Sequence, residues 1–204
     1  MTASAQTSAR LLIVGPQGSG KGTQGVRIAE AYGIPVVSTG DIFRANIKAG
    51  TDLGKQVTAI LDAGDLVSDE LTGALVRDRL SQPDAADGFL LDGYPRNAAQ
   101  VKNLDAFLAE SDSSLDAVIL LDVPRAEVLA RLERRSAEQG RADDTPEAIA
   151  HRLDIYEGQT APILEAYGAK GIVDRIDGVG DLDEITERVF LALAARGLVG
   201  TAAV

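Results

Sequence analysis

The residues best placed to do chemistry lie near the start of the chain, in the segment Gly15-Pro-Gln-Gly-Ser-Gly-Lys21. Its spacing fits G-x-x-x-x-G-K, a pattern in which backbone N–H groups turn inward around phosphate oxygens and side chains at the glycines would obstruct that approach. Lys21 adds a full positive charge for the β- and γ-phosphates of a nucleotide. The predicted phosphate contacts come from Gly15, Gly18, Ser19, Gly20, Lys21, Gly22 and Thr23.

The flanking residues supply the context that such a loop requires. Residues 11–14 form an uncharged apolar run, typical of a strand buried on both faces, and residues 23–32 are predicted to be helical. The N-terminus of that helix would bring further positive charge toward a bound phosphate. The hydroxyl that usually follows the lysine comes one place late, because Gly22 stands there and Thr23 follows it. We therefore predict a nucleotide-binding protein in which the usual Ser/Thr–Mg²⁺ bond is not expected.

Two acidic residues end apolar runs and could hold magnesium beside the phosphates. Asp92 ends one run and Asp122 ends another. A carboxylate at such a strand end can hold Mg²⁺ directly or through water. Gly93, Arg96 and Gln100 follow Asp92 at positions suited to contact a ligand, so Asp92 is the favoured candidate.

Arginines recur after predicted strand ends and around one polar stretch. Arg44 comes just past the second predicted strand, where open α/β sheets bind their ligands. Arg131 and Arg135 are four residues apart on a predicted helix, so their mutual repulsion is tolerated if an anion lies between them. One arginine alone would be interpreted as a solvated surface residue, but the group predicts a polyphosphate site. The group consists of Arg44, Arg96, Arg131, Arg135, Arg141 and Arg152.

The elements that must position these residues alternate along the chain. Apolar runs alternating with helices predict a parallel sheet covered by helices on both faces. The predicted strands are 11–15, 35–38, 88–92, 117–123 and 171–177. The predicted helices are 23–32, 41–48, 52–62, 68–80, 97–109, 124–138, 145–167 and 181–196.

Two stretches interrupt this alternation. Residues 39–66 hold two helices without an intervening strand, which indicates an inserted helical flap, and Asp41 is expected to cap its first helix. Residues 136–144 are polar without periodicity and predict a mobile loop. The single histidine, His151, is predicted to be a surface helix residue without a catalytic role.

Composition limits the remaining classes of protein. A chain of 204 residues suits one domain, and its net charge of −11 argues against a broad nucleic-acid surface. The chain has no cysteine, so disulfides and cysteine-held zinc are excluded. No apolar stretch approaches the ~20 residues that span a membrane, and the first ten residues do not resemble a signal peptide. We expect a monomer in the cytoplasm.

Together, five spaced motifs resemble the adenylate kinase family, over a span from about residue 11 to about residue 195. The resemblance implies reversible phosphoryl transfer from Mg·ATP to AMP, giving two ADP. It also implies a three-layer α/β P-loop fold with a five-stranded parallel sheet in a single domain, 1–204. A helical insertion at 38–67 would bind the nucleoside monophosphate, and residues 136–146 would form a short lid. The motifs lie at residues 15–24, 38–44, 64–67, 88–100 and 141–144.

The resemblance also implies a role for each candidate residue. For ATP it adds Arg131 and a backbone carbonyl near Gly180 to the phosphate loop. For magnesium it implies Asp92, through water. The implied contacts of AMP are Thr39, Arg44, Val67, Gly93, Arg96, Gln100, Arg141 and Arg152. The residues implied to act on the transferred phosphate are Lys21, Arg96, Arg131, Arg135, Arg141 and Arg152.

Departures and rival classes bear on these expectations. Gln17 and Tyr94 replace a common proline and phenylalanine of the family, and the short lid without cysteine excludes the zinc-holding variety. A pyrimidine-nucleotide or shikimate-type kinase would share the core, but Thr39 and Gln100 favour adenine. A regulatory GTPase would need an N-K-x-D motif, which does not occur. An ATP-driven subunit of a larger assembly would need additional interaction surface, and little sequence remains for it.

Overall fold

The computed structural model describes residues 8–139 and 145–200, arranged around a five-stranded sheet in which every paired strand is parallel. The order is β2-β3-β1-β4-β5, which places the first strand at the centre. The predicted five-stranded parallel sheet is confirmed. The strands are β1 Ala9–Val14, β2 Val36–Ser38, β3 Gly88–Asp92, β4 Ala117–Asp122 and β5 Val173–Asp177.

Helices cover both faces of the sheet, as predicted. The helices are α1 Lys21–Tyr32, α2 Thr39–Ala49, α3 Asp52–Asp62, α4 Asp69–Leu80, α5 Ala98–Ala109, α6 Arg125–Gln139, α7 Pro146–Ala169 and α8 Leu182–Ala195, with a 3₁₀ turn at Pro83–Ala85. Because side chains alternate along a strand, Leu12 of β1 packs into a core shared with α4, α5 and α7, whereas Leu11 packs into a core shared with α1 and α8. The described chain is a three-layer α/β fold.

Strand register brings the ends of three strands together. Asp92, at the end of β3, lies opposite Ile13 of β1 on one side and Ser38 of β2 on the other. The loops that follow these strands therefore leave the sheet side by side at its carboxyl edge. This edge, next to the central strand, is where open α/β sheets bind ligands.

In the stretch predicted as a helical insertion, α2 and α3 follow each other without a strand between them. Its first helix begins two residues earlier than expected, because the Ser38 hydroxyl accepts a hydrogen bond from the Asp41 amide and caps α2. Asp41 is therefore in the first turn, and its expected capping role is wrong. A small apolar cluster around Phe43, Val57 and Val67 holds the insertion together.

The helix before the expected lid extends into residues that were predicted as a loop. Residues 136–139 continue α6, since no glycine or proline interrupts the chain before residue 140. At the other side, Thr145 caps α7, which begins at Pro146. Residues 140–144 lie outside the described part of the chain. Within the described ranges, no helix is both long and apolar enough to cross a membrane.

Candidate active site

A cleft of about 580 Å³ opens at the carboxyl edge of the sheet. Its walls come from the loop after β1, the start of α2, the connection between α3 and α4, and the loop after β3. The predicted site residues that line it are Gly15, Gly18, Gly20, Lys21, Gly22, Thr23, Thr39, Arg44, Val67, Asp92, Gly93, Arg96, Gln100, Arg131 and Arg152. Residues far apart in the chain therefore meet in one cavity.

The glycine loop depends on backbone conformations that other residues adopt poorly. Gly18 has φ 84° and Gly20 has φ 96°, and Gly20 directly precedes α1. The Lys21 ammonium donates a hydrogen bond to the Pro16 carbonyl at 2.9 Å, so the lysine lies over the loop. The side chain of Ser19, also in this loop, is buried and is not part of the cleft lining. Its hydroxyl has no hydrogen-bond partner among the described residues.

Gly18→Ala is expected to destabilise the protein by about 1–3 kcal/mol, because a Cβ there would lie 2.8 Å from Leu132 Cγ in the strained φ region. The melting temperature should fall by about 2–4 °C for each kcal/mol. Gly158→Ala is the matched control, since a Cβ in that helix meets nothing within 4 Å. Thermal denaturation of both variants tests this, and an unchanged melting temperature in Gly18→Ala would contradict the tight packing of α6 on the loop.

Arg131 connects the glycine loop with the segment that follows the edge strand β5. Its guanidinium donates to the Ser19 carbonyl at 3.3 Å and to the Gly178 carbonyl at 2.9 Å. Its Nε also donates to the Glu127 carboxylate at 2.7 Å, one turn earlier on α6. Sequence reasoning found Arg131 but not Glu127 or Gly178.

Arg152 joins the loop to the helical insertion. From α7 it donates to the Gln17 side chain at 3.2 Å and to the Leu61 carbonyl at 2.8 Å. The neighbouring His151 lies 2.6 Å from an Asp65 carboxylate oxygen and is half exposed, which confirms its predicted surface position. The Leu61 contact connects α7 with the last turn of α3, and the Asp65 contact connects α7 with the segment between α3 and α4.

Positive charge converges on the insertion side of the cleft. Arg96 lines the open cleft and keeps accessible surface. Many protein atoms nevertheless surround its guanidinium and displace water from it, and this desolvation lowers its pKa. Nearby Asp92 opposes that change, whereas the positive charges of Arg152 and Arg44 add to it. Arg44 also pairs with Asp41 at 2.6 Å. Three guanidinium groups around one cavity are an arrangement suited to a phosphate group.

A compact polar group lies beside these arginines. The Thr39 hydroxyl donates to the Gly93 carbonyl at 3.1 Å, and the same carbonyl accepts from Arg96 Nε at 2.7 Å. Gly93 has φ 83°, and a Cβ there would lie 2.7 Å from the Thr39 hydroxyl. Gln100 is 2 % exposed. Its side-chain oxygen accepts a hydrogen bond from the Arg96 backbone N–H, and its side-chain NH₂ group donates one to the Asp69 carboxylate. Asp69 had no signal in the sequence beyond its place at a helix start.

The two acidic candidates have different surroundings. Asp92 lines the cleft. Asp122 is exposed, pairs with Arg175 at 2.8 Å and is not part of the cleft lining. In the described part of the chain, no three His, Cys, Asp or Glu side chains group as a metal cage. A magnesium ion that arrives with phosphates needs only one or two carboxylates, so Asp92 fits such an ion.

Besides Ser19, three predicted site residues are not placed in the cleft. Gly180 lies between β5 and α8 with φ 126° and does not line the cavity. The side chain of Arg135 and the whole of Arg141 lie outside the described residues.

Comparison with known proteins agrees with this geometry. The family model "Adenylate kinase" matches residues 13–172. Adenylate kinase of Leifsonia xyli subsp. xyli is 55% identical over 189 residues, 93% of this chain and 95% of that protein. Adenylate kinase of Clavibacter michiganensis subsp. michiganensis is 57% identical over 93% of this chain and 94% of that protein. Adenylate kinase of Bifidobacterium longum is 56% identical over 88% of this chain and 97% of that protein. The chain therefore belongs to the adenylate kinase family.

Proposed function

We propose that this single cleft binds both nucleotides of the adenylate kinase reaction, the reversible transfer of a phosphoryl group from ATP to AMP that yields two ADP. One observation carries the proposal. The phosphate loop and a group of arginines face the same cavity, and Arg152 contacts the loop through Gln17. Two polyanions can therefore meet there with their phosphates adjacent.

The half of the cleft at α1 would hold ATP. Inward backbone N–H groups of residues 15–23 and the N-terminus of α1 would surround its phosphates. Lys21 would leave the Pro16 carbonyl and move onto the phosphate that is transferred. Arg131 would neutralise charge from the opposite side, since its guanidinium already reaches the loop. We assign the adenine of ATP to the backbone near Gly180, as the family resemblance implies.

The half of the cleft at the insertion would hold AMP. Arg44 and Arg96 would bind its phosphate, with Arg152 between the two nucleotides. Thr39, Gly93, Val67 and Gln100 would surround its base, as the resemblance implies. We propose that 38–67 acts as the AMP-binding insertion, because it has its own apolar cluster. We propose that 136–146 acts as the lid, bringing Arg135 and Arg141 onto the transferring phosphate.

The proposed phosphoryl transfer depends on positioning of the two nucleotides and needs no general base. The AMP phosphate has a second pKa near ~6 and is already a largely anionic nucleophile at neutral pH. The arginines and Lys21 would neutralise charge and hold both phosphates in line for transfer. Closure of the insertion and the lid would exclude competing water.

Magnesium would be held by Asp92, through water, together with the nucleotide phosphates. When bound, the ion neutralises phosphate charge and orients the oxygens. We place no zinc in the protein, which has no cysteine. We also propose a monomer without nucleic-acid partners, because a net charge of −11 repels phosphate backbones outside the cleft. We propose a cytoplasmic site of action, which agrees with a chain that has no cysteine for disulfides.

A coupled assay with Mg·ATP and each nucleoside monophosphate in turn tests this function. We expect AMP to have the largest kcat/KM, with UMP, CMP and GMP far behind it. A preference for UMP or CMP would assign the chain to a pyrimidine-nucleotide kinase instead. Release of inorganic phosphate without an acceptor would overturn the two-nucleotide cleft.

Gln100→Ala is expected to raise KM for AMP about 10-fold and to leave KM for ATP nearly unchanged, because the base of AMP would lose its hydrogen bonds to the Gln100 side-chain amide. Initial-rate kinetics with each substrate varied separately measures the split. Gln82→Ala is the control, since Gln82 is exposed and lies just beyond the end of α4. An equal rise in KM for both nucleotides would show that Gln100 is structural.

A further inference from the structure

Asp69 lies in the first turn of α4, behind the cleft rather than in its lining. One of its carboxylate oxygens, Oδ1, accepts two side-chain amide hydrogen bonds. Gln100 Nε2 donates at 2.7 Å, and Asn97 Nδ2 donates at 2.9 Å. The partly buried carboxylate thus links the start of α4, just after the insertion, to the start of α5.

These contacts leave the Gln100 side chain one orientation. A carboxylate can only accept, so Asp69 requires the NH₂ group of Gln100 on its side. A backbone N–H can only donate, so the Arg96 amide, 2.7 Å from Gln100 Oε1, requires the carbonyl on the other side. If the buried amide turned over, its NH₂ group would face the Arg96 backbone N–H and its oxygen would face the Asp69 carboxylate. Both contacts would be unfavourable in a site where water cannot compensate.

Asn97 is oriented in the same way. Its Oδ1 accepts from the backbone amide of Gln100 at 2.9 Å, so its NH₂ group must face Asp69. The order of donors and acceptors therefore runs from the backbone of α5 through Asn97 and Asp69 to the Gln100 side chain.

A fixed amide distinguishes two kinds of purine. Adenine presents a donor at its 6-amino group and an acceptor at N1. A 6-oxopurine presents the reverse, an acceptor at O6 and a donor at N1. A glutamine that turns freely can pair with either edge, whereas one held in a single orientation pairs with only one of them.

We propose that Asp69 is a positioning residue for acceptor specificity: by holding the Gln100 amide in one orientation, it makes the cleft accept a 6-aminopurine monophosphate and reject a 6-oxopurine monophosphate. The inference rests on the proposed function, because it takes Gln100 as the group that meets the base of AMP. Asp69 itself touches no substrate, and its effect passes through Gln100.

The test compares kcat/KM for AMP and for inosine monophosphate with Mg·ATP as donor. In Asp69→Ala the AMP-to-inosine-monophosphate ratio is expected to fall about 10-fold, because only the Arg96 amide still opposes the turned amide. In Asp69→Asn the ratio is expected to stay within about 3-fold of wild type, since an amide oxygen oriented by Asn97 can accept both bonds. KM for ATP should stay unchanged in both variants.

Glu70→Ala is the matched control. Glu70 is an exposed acid in the same first turn of α4, so its removal changes the helix-end charge and leaves the Asp69 contacts in place. Its ratio should equal that of wild type. Because both acceptors are measured on one sample, partial unfolding cancels from the ratio. Asp69→Ser replaces Asp69→Ala if that variant does not fold, because its short hydroxyl cannot reach both amides.

The outcomes separate the inference from the function on which it rests. An unchanged ratio in Asp69→Ala, or in Asp69→Ser where that variant replaces it, overturns the inference if Gln100→Ala lowers the ratio. An unchanged ratio in Gln100→Ala shows that Gln100 does not contact the base and overturns the proposed AMP site as well. A fall in Asp69→Asn as large as in Asp69→Ala would show that charge, not hydrogen-bond direction, is the cause, and would also overturn the inference.

Discussion

Lys21→Ala is expected to lower kcat at least about 100-fold, the scale of removing one preorganised stabilising group. The ammonium would meet the transferred phosphate, where negative charge must be neutralised. The stability of the fold should depend on Lys21 far less than kcat does. The hydrogen bond from its ammonium to the Pro16 carbonyl is of a kind worth about 1 kcal/mol, or about 2–4 °C in melting temperature.

Steady-state kinetics and thermal denaturation on the same preparation measure both effects. Lys102→Ala is the control for charge, because Lys102 is exposed on α5 away from the cleft lining. Near-normal turnover in Lys21→Ala would contradict the assignment of residues 15–23 as the phosphate loop. A melting temperature many degrees lower would show that Lys21 is chiefly structural.

Arg96→Gln is expected to lower kcat/KM for AMP about 100-fold, because a charge-assisted fork to the AMP phosphate is lost. The free enzyme should melt within a few degrees of wild type, because the lost hydrogen bond to the Gly93 carbonyl is offset by removal of a poorly solvated charge. Burial and two neighbouring arginines lower the pKa of Arg96, so the folded state disfavours its positive charge, and removing the charge relieves that cost.

The control for Arg96 is Arg175→Gln. Arg175 is an exposed arginine of β5 that pairs with Asp122 outside the cleft lining. It should retain wild-type kcat/KM for AMP. If Arg96→Gln retained most of its kcat/KM, or if it melted many degrees lower, Arg96 would belong to the scaffold rather than to the phosphate site.

Most of the fold was predictable because its signals are local. Strands buried on both faces carry uninterrupted apolar runs, and the glycine spacing before Lys21 has few other uses. The errors were at element ends. The end of α6 depends on where a helix-breaking residue occurs, and the cap of α2 depends on whether Ser38 or Asp41 reaches the free amide.

The candidate site was predictable in its residue types but not in its contacts. Motifs placed Gln100 and Arg96 near a ligand, and the cleft contains both. No local pattern shows that Asp69 orients Gln100 from 31 positions earlier, or that Arg131 reaches the Gly178 carbonyl from α6. Such pairs form only when the sheet order brings distant loops together, and spacing along the chain does not record that order.

The reaction of the purified protein with Mg·ADP as the only nucleotide tests the central claim most directly. If one cleft joins two nucleotides, ADP must serve as both donor and acceptor, and ATP and AMP must appear in equal amounts without inorganic phosphate. Chromatographic separation of the products measures this, and Lys21→Ala should lower the rate at least about 100-fold. Formation of AMP with inorganic phosphate and without ATP, or no turnover of ADP by an enzyme that consumes ATP, would contradict the account.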